Sequence, residues 1–182
     1  MMIPLALAMA ALLQQPQAPQ RPAQTPATRE AATNETRQAI IDVGRGVAEM
    51  RSAHDALRRA VFNSPDAVVV QRAHQMRESC RALTTVAAAA ALHVCRSCFS
   101  TAVQPAMSAY RGVLPEVGRV GTRCASQLDR ALRAPDSAAA LRRDIWSLAT
   151  TVVNGLFPYE ERLLAVRRAL GLVQEPTEER RR

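Results

Sequence analysis

Lysine is missing from this sequence: all 24 basic residues are arginine. No Schiff-base lysine and no phosphate-loop lysine can therefore operate. Aromatic side chains make up 3% of the chain, and there are seven glycines. That is poor material for a β-sandwich or barrel, which needs β-prone residues and frequent turns. No apolar run reaches the roughly 18–20 residues that a membrane-spanning helix requires. The sequence also lacks GxSxG, HExxH and a Gly-rich phosphate loop, and no carboxylate pair marks out a shared pocket. The common hydrolase, metalloprotease and nucleotide-binding signatures are thereby excluded.

What is present is 182 residues, 48% of them hydrophobic, with a formal net charge of +8. The length suits one domain with a true core. Residues 2–13 read MIPLALAMAALL, about the length of a secretory h-region, and Ala8-Met9-Ala10 supplies a small-x-small cleavage pattern. No basic residue precedes the run, and no cysteine follows it that could carry a lipid anchor. Residues 14–28, QQPQAPQRPAQTPAT, have the Gln and Pro density of solvated linker. The expected organisation is a signal peptide at 1–13, a Gln/Pro-rich linker at 14–28, a folded body at 29–173 and a charged tail at 174–182. The tail holds three Glu and three Arg, so the basic excess belongs to the body.

Pro65, Pro105 and Pro135 divide the body into four segments. Ser64-Pro65-Asp66 and Pro135-Asp136-Ser137 carry helix-start chemistry, an N-cap side chain beside a proline. Thr25-Pro26 or Thr28 is placed to open the first helix. Within each segment apolar residues recur at steps of three and four, which puts them on one helical face. The stripes are Ile40, Val43, Val47, Met50, His54, Leu57 and Val61; Val69, Ala73, Met76, Cys80, Leu83, Ala87, Ala90 and Val94; Val113, Val117, Val120, Cys124, Leu128 and Ala131; and Leu141, Ile145, Leu148, Val152, Tyr159, Leu163, Val166 and Leu170. A mean step near 3.5 favours near-parallel packing. The expected fold is all-α: an up-down-up-down antiparallel four-helix bundle, disulfide-braced. Pro115 and three glycines make the third helix the least regular, and Pro158 should kink the fourth near Asn154.

The four cysteines test this arrangement. In an antiparallel hairpin facing positions have a constant sum, and Cys80 with Cys124 places the turn near residue 102, in STAVQP. Both lie on apolar stripes, so a Cys80–Cys124 bridge between the second and third helices is expected, in keeping with export to an oxidising compartment. Cys95 and Cys98 form Cys-Arg-Ser-Cys. Phe99 stands where c-type haem attachment needs His. A zinc site would draw on His93 but lacks a fourth ligand. Two readings stay open: a local structural disulfide, or a thiol–disulfide redox pair, for which the end of a helix gives the dipole the wrong sign.

The histidines raise a second question. His54 lies on the core stripe, and a hairpin turning near residues 63–64 sets it opposite 73–74, where His74 stands. Glu78 follows one turn on, and Met50 precedes His54 by one turn. His54, His74 and Glu78 would suit a divalent metal, and Met50 with His54 would suit axial ligation of a haem. The alternative is a core histidine satisfied by neighbours such as Asp55. The general shape is similar to that of the c′-type and b-type cytochrome bundles, without the Cys-x-x-Cys-His attachment sequence.

The body carries 20 Arg against 13 acidic residues, with pairs at Arg58-Arg59, Arg142-Arg143 and Arg167-Arg168. Their spread among acids reads as a solvated face, and no aromatic platform accompanies them, so nucleic acid is not the expected partner. An unidentified protein or an anionic component of the cell envelope is. The functional expectation is a periplasmic or secreted, non-enzymatic binding or structural module. The alternatives are a metal- or haem-binding bundle at His54/His74 and a redox protein using Cys95 and Cys98.

Overall fold

A computed structural model describes residues 26–172 of the chain. The expected signal peptide, most of the linker and the tail at 174–182 lie outside the described residues. Four helices follow in order: α1 (Pro26–Asn63), α2 (Asp66–His93), α3 (Gln104–Leu132) and α4 (Ser137–Ala169). They form the up-down bundle, each helix packing along the next. The closing pair, α1 with α4, meets over much less of its length than the consecutive pairs do.

The stripes read from the sequence are the core. Every residue of the second and third stripes is buried, as are Val43, Val47, Met50, His54, Leu57 and Val61 on α1. On α4, Leu141, Ile145, Leu148, Val152, Tyr159 and Val166 are buried, and Leu156 joins them. Small residues permit close approach. A Cβ on Gly121 would lie 2.5 Å from the Thr84 hydroxyl and 2.6 Å from the Cys80 carbonyl, so α2 and α3 could not meet at the disulfide with any larger residue there.

One local expectation is corrected. Ser64 does not cap α2. Its N–H bonds the Ala60 carbonyl at 2.9 Å and so completes the last turn of α1, and Pro65 takes the cap position without a side-chain bond. The two-residue connection leaves no room for both roles. The α2–α3 connection spans residues 94–103 and so contains the expected turn near residue 102. Pro115 and Pro158 lie inside continuous helices. At the α4 start the expected chemistry is present: the Asp136 carboxylate accepts from the Ala139 N–H at 2.9 Å.

Candidate functional site

Both disulfides are formed. Cys80 and Cys124 link α2 to α3 with Cα atoms 5.9 Å apart, and both are 0% exposed. Cys95 and Cys98 close a local loop with Cα atoms 5.6 Å apart. Cys98 is buried and Cys95 half-buried.

The turn holding Cys95 is tied to the start of α1. Among the described residues Thr36 is buried, 0% exposed, although its side chain is polar. Its hydroxyl accepts from the Cys95 N–H at 2.9 Å and lies 2.9 Å from the Ala32 carbonyl and 3.1 Å from the His93 carbonyl. Arg29 Nε donates to the Cys98 carbonyl at 3.3 Å, and Arg111 Nε to the Ala91 carbonyl at 3.1 Å. The Cys95 sulfur lies 3.6 Å from the Ser97 hydroxyl. It opens on a hollow of about 600 Å³ whose walls include His93, Arg96 and Arg111.

The structure does not bring His54 and His74 together. His54 is 6% exposed, whereas His74 is exposed one position round the helix from buried Ala73. A shift of one residue is a turn of about 100°, enough to carry a side chain from core to water. Glu78 is exposed as well and pairs with Arg77 at 2.8 Å and Arg81 at 3.5 Å. Met50 is part of the apolar core, one turn before His54. Among the described residues no group of three or more His, Cys, Asp or Glu side chains is placed to hold a metal ion. His54 Nδ1 lies 3.6 Å from Asp55, and its Nε2 is buried without a hydrogen-bond partner. Burial depresses the imidazole below its ordinary value, with Asp55 opposing the shift and Arg58 adding to it.

The arginine pairs are partly structural. Arg142 donates to the carbonyls of Val61 and Ser64 and pairs with Asp66 at 2.7 Å, strapping α4 to the α1–α2 turn. Arg77 and Arg81 converge on Asp129 of α3.

The sequence reading missed a second apolar face. Trp146, Val153, Phe157 and Leu164 of α4 are 39–63% exposed. At about 100° per residue they fall within about 40° of each other, a straight strip about 27 Å long. Beside it on α1 stand Phe62 and Ile41, both close to 60% exposed. The Phe62 and Trp146 rings are in contact, centroids 6.3 Å apart. Arg51 of α1 pairs with Glu160 of α4 along the same seam. The signal was in the sequence, as a second apolar set on α4 at steps of seven, four and seven. The dominant core stripe hid it.

No known protein family, curated protein or solved structure matches the chain.

Proposed function

We propose that this chain is a non-enzymatic binding or structural module, exported to the periplasm or beyond, that works through the α1–α4 face. The observation that carries the reading is the contiguous apolar strip of Trp146, Val153, Phe157 and Leu164, flanked by Phe62. Soluble monomers rarely leave such a patch open unless something covers it. Aromatic anchors of this kind concentrate binding energy when a partner seals them. Export draws support from the apolar N-terminal run and the two disulfides.

Trp146 is the single tryptophan, so its fluorescence reports on this face. The full chain, recovered in oxidised form, should show Trp146 emission that shifts to the blue and resists iodide quenching once a partner covers the strip. Emission that stays red-shifted and fully quenchable, at every protein concentration and with envelope extract added, would overturn the reading.

A second reading rests on the half-open Cys95 beside its cationic hollow: thiol–disulfide exchange. An external thiolate would attack the Cys95 sulfur and release Cys98 as a thiolate. A second thiol of the same dithiol partner would then resolve the mixed disulfide, leaving the partner oxidised and Cys95 and Cys98 reduced. Equilibration with a glutathione buffer tests it. A reduction potential in the range of stable structural disulfides counts against it.

A further inference from the structure

The apolar strip is complementary to itself. On α4, Trp146 and Leu164 each stand nine residues from position 155, and Val153 and Phe157 each stand two residues from it. A second α4 turned end for end about residue 155 therefore sets Trp146 against Leu164 and Val153 against Phe157. All four exposed apolar residues of the strip are matched by one rotation. That is the condition for an isologous two-fold interface, in which residue i of one copy meets j of the other and j meets i.

The α1 side of the face obeys the same axis. The Phe62–Trp146 contact, the Arg51–Glu160 pair and the closeness of Gly44 to the Tyr159 hydroxyl fix how α1 runs against α4. Counting along the antiparallel helices from these three contacts puts residue 155 opposite positions 48 to 56 of α1. Ile41 and Phe62, the large apolar residues exposed on α1, have their midpoint between 51 and 52. The rotation that pairs the α4 residues thus also carries the level of Phe62 to that of Ile41. A palindrome on one helix could be chance; agreement of the second helix is an independent observation.

We infer that a second copy of this chain closes the α1–α4 face, packed antiparallel about a two-fold axis near residue 155. The inference rests on reading that face as an interaction surface. The area is sufficient. Three rings about three-fifths exposed, each worth roughly 150–250 Å² when buried, together with Ile41, Val153 and Leu164, offer on the order of 550–600 Å² per copy. Two faces then bury about 1,100–1,200 Å², the lower edge of specific interfaces. Association in the micromolar range is expected. The ends of the strip carry Arg143 at one side and Arg167 and Arg168 at the other. Across the two-fold Arg143 comes to the level of Arg167, but Arg143 is already paired with Asp144 at 3.2 Å, so salt should change this association little. An acidic partner on the same face would be loosened by salt.

Sedimentation of the full oxidised chain between about 1 and 200 μM is the test, with Trp146 emission read on the same samples. The expected result is a monomer–dimer equilibrium whose dimer fraction follows the blue shift and changes little with salt. Phe157→Asp should abolish the dimer and leave the far-ultraviolet dichroism of the monomer unchanged. Register is read by cross-linking. Chains with Trp146→Cys mixed with chains carrying Leu164→Cys should form an intermolecular disulfide. Trp146→Cys chains alone should not, since their sulfurs would sit about 27 Å apart along the strip. A cross-link in Trp146→Cys chains alone, or none in the mixture, overturns the proposed packing. So does a dimer that survives Phe157→Asp. A chain that stays monomeric throughout, while envelope extract still blue-shifts Trp146, overturns the second copy and leaves the interaction face standing for another protein. A monomer whose Trp146 answers to neither overturns both.

Discussion

The Cys80–Cys124 bond lies in the middle of the bundle, both residues out of water, and joins two helices across 44 residues of sequence. The Cys95–Cys98 bond sits in the turn at one end, spans three residues and leaves Cys95 half open. Loop-closure entropy grows with the logarithm of loop length, so the first bond removes far more freedom from the unfolded chain. Access runs the other way, because a thiolate must reach a sulfur in line to open a disulfide. One bond is placed to hold the fold and the other to be reached from outside. The two roles separate because the core stripe buries Cys80 and Cys124, whereas Cys95 lies in the connection between α2 and α3, outside the helical stripes and half-exposed.

The two bonds should differ most in what they contribute to stability. Replacing Cys80 and Cys124 together by Ala should cost about 4 kcal/mol in the chain-entropy model. The same change at Cys95 and Cys98 should cost only about 1.6 kcal/mol by the same formula. Urea unfolding of the two double variants measures the gap. Equal losses would mean that loop length is not what distinguishes the bonds.

Reduction should sharpen the difference from the other side. Under mild thiol at neutral pH, trapping with an alkylating reagent and mass spectrometry should find Cys95 and Cys98 modified first, by at least about tenfold in rate. Cys80 and Cys124 should open only as the bundle unfolds. Simultaneous opening would show that exposure of Cys95 does not set its reactivity.

A smaller effect links the two regions. Thr36 is the buried hydroxyl that receives the Cys95 N–H, so Thr36→Val keeps the shape and removes the anchor. Leaving that N–H without a partner should cost about 1–2 kcal/mol and speed reduction of Cys95–Cys98 while leaving Cys80–Cys124 untouched. A variant that lowers stability without changing the reduction rate would confine Thr36 to packing.

Most of the fold was legible because burial leaves a periodic trace. The stripes named from steps of three and four are buried except for Ile40, Leu163 and Leu170, which pack half-buried against the core, and the Cys80–Cys124 register followed from the antiparallel sum. The site was less legible for reasons visible in particular residues. His74 sits one position from Ala73, and a one-residue reading error reverses its face. Thr36 looks like any polar residue of α1 until the turn at Cys95 is folded back on it. Trp146 and Phe157 belong to a second period on α4, which a search for one core stripe passes over. Ser64 and Pro65 carry the composition of a helix start, yet the shortness of the connection gives Ser64 to the preceding helix.

The least change is expected at His54, a buried histidine that lacks the set of partners Thr36 has. Its Nε2 is unpaired, and burial lowers its pKa from the ordinary 6.5. The sign follows from which state holds the proton. As pH falls through 6.5 the unfolded chain protonates this residue while the folded chain resists, so protons favour unfolding. The stability tied to neutral His54 is therefore complete above the unfolded value and drains away as pH falls toward the folded one. His54→Leu removes both the titration and the unpaired nitrogen. Replacing a buried polar atom that lacks a partner by an apolar side chain is nearly neutral or mildly stabilising, within about 1 kcal/mol. Thermal unfolding at pH 7.5 and at pH 5 should show a smaller acid loss in His54→Leu than in the parent chain. If His54→Leu keeps the full acid loss, or is destabilised as strongly as Thr36→Val at pH 7.5, the imidazole is satisfied by a ligand or a neighbour, and the metal- or haem-binding alternative regains its footing.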